Sequence, residues 1–322
     1  MPNVRLAGNR LEIGDRFSVS FQRTLRIPDD GKIYPLPPGL GLLPVHGVAD
    51  HRVRAPREWS NDEFFVGMYQ REALWLGFDG ASWKPNAAKI GVGGIDAISG
   101  EAWTPDLVAE PQNYIVAPDQ PWLDGINAGS GFIRQFVAMP LGRGYTVEGQ
   151  LTGEERTGGI QLRVFEPVPG RFSESPPPYE ETAKGTQPVS MSFESRMGLA
   201  SGGRMRQAIY RDRYGINAWD QKRSVEVRVH IVNSADYVTI TGRPAPPPPI
   251  DARTYTEYGL PWFELYDGDR ADVPSPERLA GVRSTGEIDQ ARTGRTSDDA
   301  ASIDVRPGQV QKVYRRVDQQ GE

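Results

Sequence analysis

Asp119 and Asp124 stand five residues apart on either side of Trp122, in the turn-dense segment APDQPWLDG at residues 117–125. Two carboxyls beside an aromatic face are what glycoside hydrolysis needs, one acting as acid, the other as base or nucleophile, with the ring as platform for the sugar. Glu148, farther along the same region, is a third candidate for that chemistry. The competing reading has Asp119 and Asp124 accepting turn amide hydrogens while Trp122 fills the core, as such residues do in proline- and glycine-rich turns. Five residues of loop fix no geometry, so this second reading takes precedence. An enzyme acting on a carbohydrate or similar polar substrate through paired carboxylates is the alternative. Arg134 and Gln135 precede Phe136-Val137-Ala138. A polar pair in an apolar strand must meet solvent, a partner or a buried network, so Trp122, Arg134 and Gln135 are the candidate binding residues.

Composition narrows the chemistry further. The chain of 322 residues has no cysteine and three histidines, His46, His51 and His230. Disulfides, thiolate nucleophiles and cysteine-held metals are excluded, and no metal or cofactor is expected. The net charge is −5, and of the 37 basic residues only six are lysine. Without a basic face, nucleic acid is a poor partner. No apolar run has the roughly 18 residues of a membrane helix and the N-terminus lacks the apolar stretch of a secretory signal, so a cytoplasmic protein is expected. Other motifs fall short: Gly91, Gly93 and Gly94 fit no nucleotide loop, and Asp267, Asp269 and Asp272 lack the glycine and glutamate of a calcium loop.

The elements that must position these residues are short. Gly 36 and Pro 28 make about a fifth of the chain, which opposes long helices. The expected class is α+β and β-rich, with short antiparallel strands in a sandwich- or barrel-like sheet and a few short helices in the C-terminal half. Phe17, Val19 and Phe21 alternate with polar residues, as do Val225, Val227, Val229 and Ile231, the latter placing His230 away from the core. Residues 64–78 read as two strands and Lys89–Ile98 as a strand pair or bulged strand, while Trp75 and Trp262 are assigned to the core. Tyr145–Leu151 and Ile160–Phe165 both alternate and are expected to pair as an antiparallel hairpin. Helices are expected from Asn233 or Ser234 to Gly242, from Asp251 to about Tyr258, and from Ser275-Pro276-Glu277.

This divides the chain into a β-rich portion at 1–165, a proline- and serine-rich linker or exposed loop at 166–189, an α+β portion at 190–283 that either completes the same core or forms a second domain, and a polar tail at 284–322. Large apolar residues thin out in the tail, which is expected to be disordered or to fold on a partner. Pro176-Pro177-Pro178-Tyr179 has the form of a WW-module ligand but reads as plain spacer.

At PLPPGLG (35–41), MYQREALWL (68–76), PDQPWLDG (118–125), RQFVAMPLG (134–142) and GLPWF (259–263) the chain resembles an uncharacterised group of bacterial proteins. The resemblance covers most of residues 17–285 and implies a bacterial, cytoplasmic protein. It carries over no activity, cofactor or site residue. The function expected is that of a non-catalytic binding or assembly protein, engaging a protein partner, a further copy of itself or a small polar ligand through exposed loops and tail. A self-assembling structural subunit is a further alternative.

Overall fold

The computed structural model describes residues 4–129, 131–176, 197–266, 271–295, 297 and 301–314. The alternation of Phe17, Val19 and Phe21 builds the strand Phe17–Thr24, whose apolar side chains are fully buried. It pairs antiparallel with Ala73–Asp79, with Phe21 opposite Leu76 and Val19 opposite Phe78. Ala73–Asp79 in turn pairs with Phe132–Pro140, and that strand with Met197–Arg206. A second run of pairings joins Asn86–Val92 to Ile160–Pro167, then to Trp219–Asn233, then to Phe64–Met68. The two runs meet where Met197 faces Ile231, so all these strands belong to one 17-stranded, mostly antiparallel sheet. Phe21, Leu76 and Phe136 of the first run and Ile90, Leu162 and Val229 of the second share one hydrophobic core. This is the β-rich α+β class, with inward faces packed as in a sandwich.

The strands at 197–206 and 219–233 are inseparable from those before residue 167, because each fills a central place in a run that begins earlier. Glu166 and Pro167 belong to the end of the Ile160–Pro167 strand and do not open a linker, a correction to the expected boundary. Phe172, farther on, stacks on Trp219 with ring centroids 6.0 Å apart. Residues 177–189 of that segment, including Tyr179, lie outside the described residues.

Two further expectations are overturned. Val147–Thr152 is a helix and not half of a hairpin. The Thr146 hydroxyl accepts the Gly149 N–H at its start and Gly153 closes it at φ 79°, so cap chemistry outweighs a period-two pattern that Val147, Gly149 and Leu151 only imitate. Ile160–Pro167 pairs with two distant strands instead, Leu162 lying opposite both Ile90 and Val227. The tail is also ordered through residue 314 in its described part. Ser284 and Glu287 form a capping box for the helix Thr285–Thr293, Ile288 and Ile303 are buried, and Val310–Tyr314 pairs parallel with Trp262–Tyr266. Few apolar residues suffice because polar ties anchor the segment: Arg134 to Glu287, Arg71 to Asp289, and the Gly286 N–H to Asp29. Residues 315–322 lie outside the described residues. The helices Ser234–Thr241 and Ala252–Glu257 start on Asn233 and Asp251, whose side chains accept first-turn amides as their sequences imply.

Candidate functional site: the cleft at Trp122

After the strand Ile115–Ala117 the chain turns through Pro118–Pro121, and Trp122–Leu123 pairs with the edge of Ala73–Asp79, Trp122 opposite Gly77 and Leu123 opposite Leu76. Three glutamines stitch this turn to the segment after Arg206. Gln120 accepts the Tyr210 N–H at 2.9 Å and donates to the Trp122 carbonyl at 3.0 Å and the Ala208 carbonyl at 3.3 Å. Gln112 accepts the Asp212 N–H and donates to the Tyr114 and Tyr210 carbonyls. Gln207 accepts the Asp124 N–H at 2.9 Å and donates to the Asp124 carboxylate at 2.6 Å. Each amide offers a donor and an acceptor to irregular backbone that no sheet partner satisfies.

Asp124 is 3% exposed. Burial pushes its carboxyl up to about 7, against the opposing hydrogen bonds of Gln207 and the Trp122 indole. The neighbouring Trp122 ring is half-buried and meets Trp75 edge-on at 64° with centroids 6.3 Å apart. Trp75 is itself only half-buried, so it lines the cleft and does not belong to the core as expected, whereas Trp262 is fully buried. Trp122 stands between two hollows. One, of about 520 Å³, is lined by Gln120, Phe132, Gln207 and Tyr210, with Arg206 and Lys312 among its charged residues. The other, of about 180 Å³, is apolar and lined by Pro37, Pro38, Trp75, Phe263 and Val313, with Asp124 the one ionisable group.

The remaining candidates lie elsewhere in the network. Asp119 forms a two-point pair with Arg213, at 2.8 and 3.0 Å. Glu148 is buried and accepts the backbone N–H groups of Arg156, Thr157 and Gly158 at 3.0, 2.7 and 2.9 Å. Arg134 holds Glu287 with both terminal nitrogens, and Gln135 clamps the Ile27 N–H and the Leu25 carbonyl, each at 2.9 Å. Of the residues singled out from the sequence, the fold brings Trp122 and Asp124 together at a cleft and gives Asp119, Glu148, Arg134 and Gln135 partners within the protein.

Sequence reading missed Gln207, which stands in the arginine-rich stretch RMRQAIYRDR at residues 204–213 with nothing to set it apart. It also missed the convergence of all three histidines. His46 stacks on Phe65 and sits 5.2 Å from His51, and its Nε2 lies 2.9 Å from the Tyr237 hydroxyl. His230 stacks on Trp59 at 4.0 Å and contacts Glu63. It faces away from the main core as expected, but onto a second apolar cluster and not into solvent. Burial presses the His46 imidazole down to about 4, keeping it neutral. Among the described residues no group of three or more acidic, histidine or cysteine side chains is arranged to hold a metal ion, and no helix is long and apolar enough to cross a membrane.

No protein-family model matches the chain, and no curated protein or solved structure is significantly similar to it.

Proposed function

We propose that the protein is a non-catalytic binding protein, and that the cleft divided by Trp122 takes a small polar ligand with an apolar face, of which a sugar ring is the best-fitting example. The observation that carries this reading is the half-buried Trp122 indole, standing between an apolar hollow and a polar one beside the Asp124–Gln207 pair. Such a site offers a stacking surface on one side and fixed amides and charges on the other, the usual division of labour in a small-molecule site. The paired-carboxylate alternative is less well supported. It needs two acids at one bond, whereas Asp119 is engaged by Arg213 and Glu148 by three backbone amides.

Tryptophan fluorescence and calorimetric titration with a panel of mono- and oligosaccharides test the proposal. A ligand should perturb the indole emission, and Trp122→Ala should weaken it roughly ten- to a hundredfold, the equivalent of about 1.5–3 kcal/mol of lost apolar contact. If the chain instead cleaves one of these sugars and Asp124→Asn abolishes the cleavage, the reading as a binding protein fails.

A further inference from the structure

The strand Asn86–Val92 reverses through Gly93-Gly94 into Ile95–Asp96, with Val92 opposite Ile95 and Gly91 opposite Asp96. Both glycines have positive φ, as a two-residue hairpin turn of this kind demands. This register sets Lys89 and Asp96 on one face as diagonal neighbours. Both side chains are 1% exposed, and Lys89 Nζ is 3.7 Å from Asp96 Oδ2. The carboxyl is held asymmetrically. Oδ1 accepts the N–H groups of Ile98 at 3.1 Å and Ser99 at 2.9 Å, while Oδ2 has no hydrogen-bond partner among the described residues. Lys89 donates to the carbonyl oxygens of Thr104 at 3.0 Å and Asp106 at 2.9 Å, and its Nζ is 3.3 Å from the Thr104 hydroxyl. Two N–H bonds to carbonyls leave a neutral amine its lone pair for the carboxyl. Trp103 closes the site, its ring 5.2 Å from Nζ, and it can do so because residue 91 is glycine: a Cβ there would come within 2.6 Å of the indole.

We propose that Lys89 and Asp96 condense within the folded chain to form an internal amide between Nζ and Cγ, a covalent staple inside the β-hairpin. Nζ attacks Cγ, and the negative charge of the tetrahedral adduct falls on Oδ1, where two backbone amides already point. The proton released by Nζ passes to the protonated Oδ2, and the Cγ–Oδ2 bond breaks to release one water. One C–N bond forms, one C–O bond breaks, and nothing is oxidised or reduced. The reactants start in contact, a situation worth effective concentrations of roughly 10⁵–10⁸ M when alignment is good. Burial, the largest influence on both groups, raises the carboxyl to about 6 and lowers the amine from its usual range, moving each toward the neutral form that reacts. The product also removes a charged pair that the interior hosts at a desolvation cost.

Mass spectrometry of the purified full chain decides the matter. The denatured protein should weigh one water less than its sequence, trypsin should fail to cut after Lys89, and the peptide running through Lys89 to Arg134 should carry the deficit. Asp96→Ala should restore the full mass. Asp96→Asn should lose ammonia in place of water and reach the same final mass as the stapled wild type. A wild-type chain of full mass that trypsin cuts freely after Lys89 overturns the proposal. So does a water deficit that maps to an imide at Asp79-Gly80 or Asp124-Gly125.

Discussion

Asp96 and Asp124 are both buried aspartates whose carboxyls burial lifts toward neutrality, yet their surroundings set them to different tasks. At Asp124 a neutral donor, the Gln207 amide, holds the carboxyl beside the Trp122 ring at the mouth of a cleft. At Asp96 two amides hold one oxygen, and the other faces an amine in a sealed site. A raised pKa by itself therefore assigns no role. What decides is the group opposite the second oxygen: a neutral donor fixes geometry, whereas a buried amine brings a charge to be balanced or a bond to be made.

The broadest way to sharpen this contrast is the pH dependence of stability. Asp124 keeps its proton in the folded state to about 7 but releases it near the ordinary aspartate value of 3.8 when unfolded. Between those values the native state binds the extra proton, so the contribution to stability is full below the unfolded value and is lost as pH rises through the folded one. At about 1.4 kcal/mol per unit of separation, the loss from pH 5 to pH 8 is roughly 2–3 kcal/mol. His46 pushes the other way, losing stability as pH falls from 6.5 toward 4. The informative quantity is thus the difference between wild type and Asp124→Asn, measured by urea unfolding at each pH: wild type should lose ground against the variant as pH rises. Asp96 adds a second loss, between 3.8 and about 6, only if it remains a free acid. With the staple in place, replacing Lys89 and Asp96 together by methionine and leucine should leave the slope unchanged.

The contrast was only partly legible from the sequence. Alternation marked the strands around Val19, Leu162 and Val229, because side-chain period is a local property, whereas Lys89–Ile98 stayed open between a strand pair and a bulged strand. The helix Val147–Thr152 was lost because a six-residue helix holds too few turns to show its own period, and Val147, Gly149 and Leu151 imitate a strand. The folded tail was lost because its order depends on ion pairs such as Arg134–Glu287, which join residues 153 positions apart. At the cleft, Trp122 and Asp124 attracted notice by type and proximity. Their partner Gln207 and the meeting of Lys89 with Asp96 required register, which no residue carries alone.

A narrower break of the comparison removes the neutral donor. Gln207→Leu leaves the Asp124 N–H and carboxyl without their partner in a buried place. The expected loss is about 1–3 kcal/mol in chemical unfolding. With one opposing hydrogen bond gone, the Asp124 carboxyl should titrate still higher, and the loss should be smaller at pH 5, where the acid is protonated, than at pH 8. An equal loss at both pH values would mean that Gln207 serves only the backbone.

The smallest expected effect is the most specific to the cleft. Trp122→Phe retains an aromatic face but deletes the indole N–H that Asp124 holds. One hydrogen bond to a partly ionised buried group is worth about 0.5–1.5 kcal/mol net, so global stability should fall only slightly. The smaller ring also changes the edge-on contact with Trp75. Emission from Trp75 should change, and any ligand that stacks on residue 122 should bind more weakly than to wild type yet more tightly than to Trp122→Ala, because a phenyl ring keeps part of the apolar surface without its orientation. Equal affinity for Phe and Trp at this position would show that Asp124 holds the ring for the fold alone, and would move the binding surface to the wider hollow beside Gln120 and Arg206.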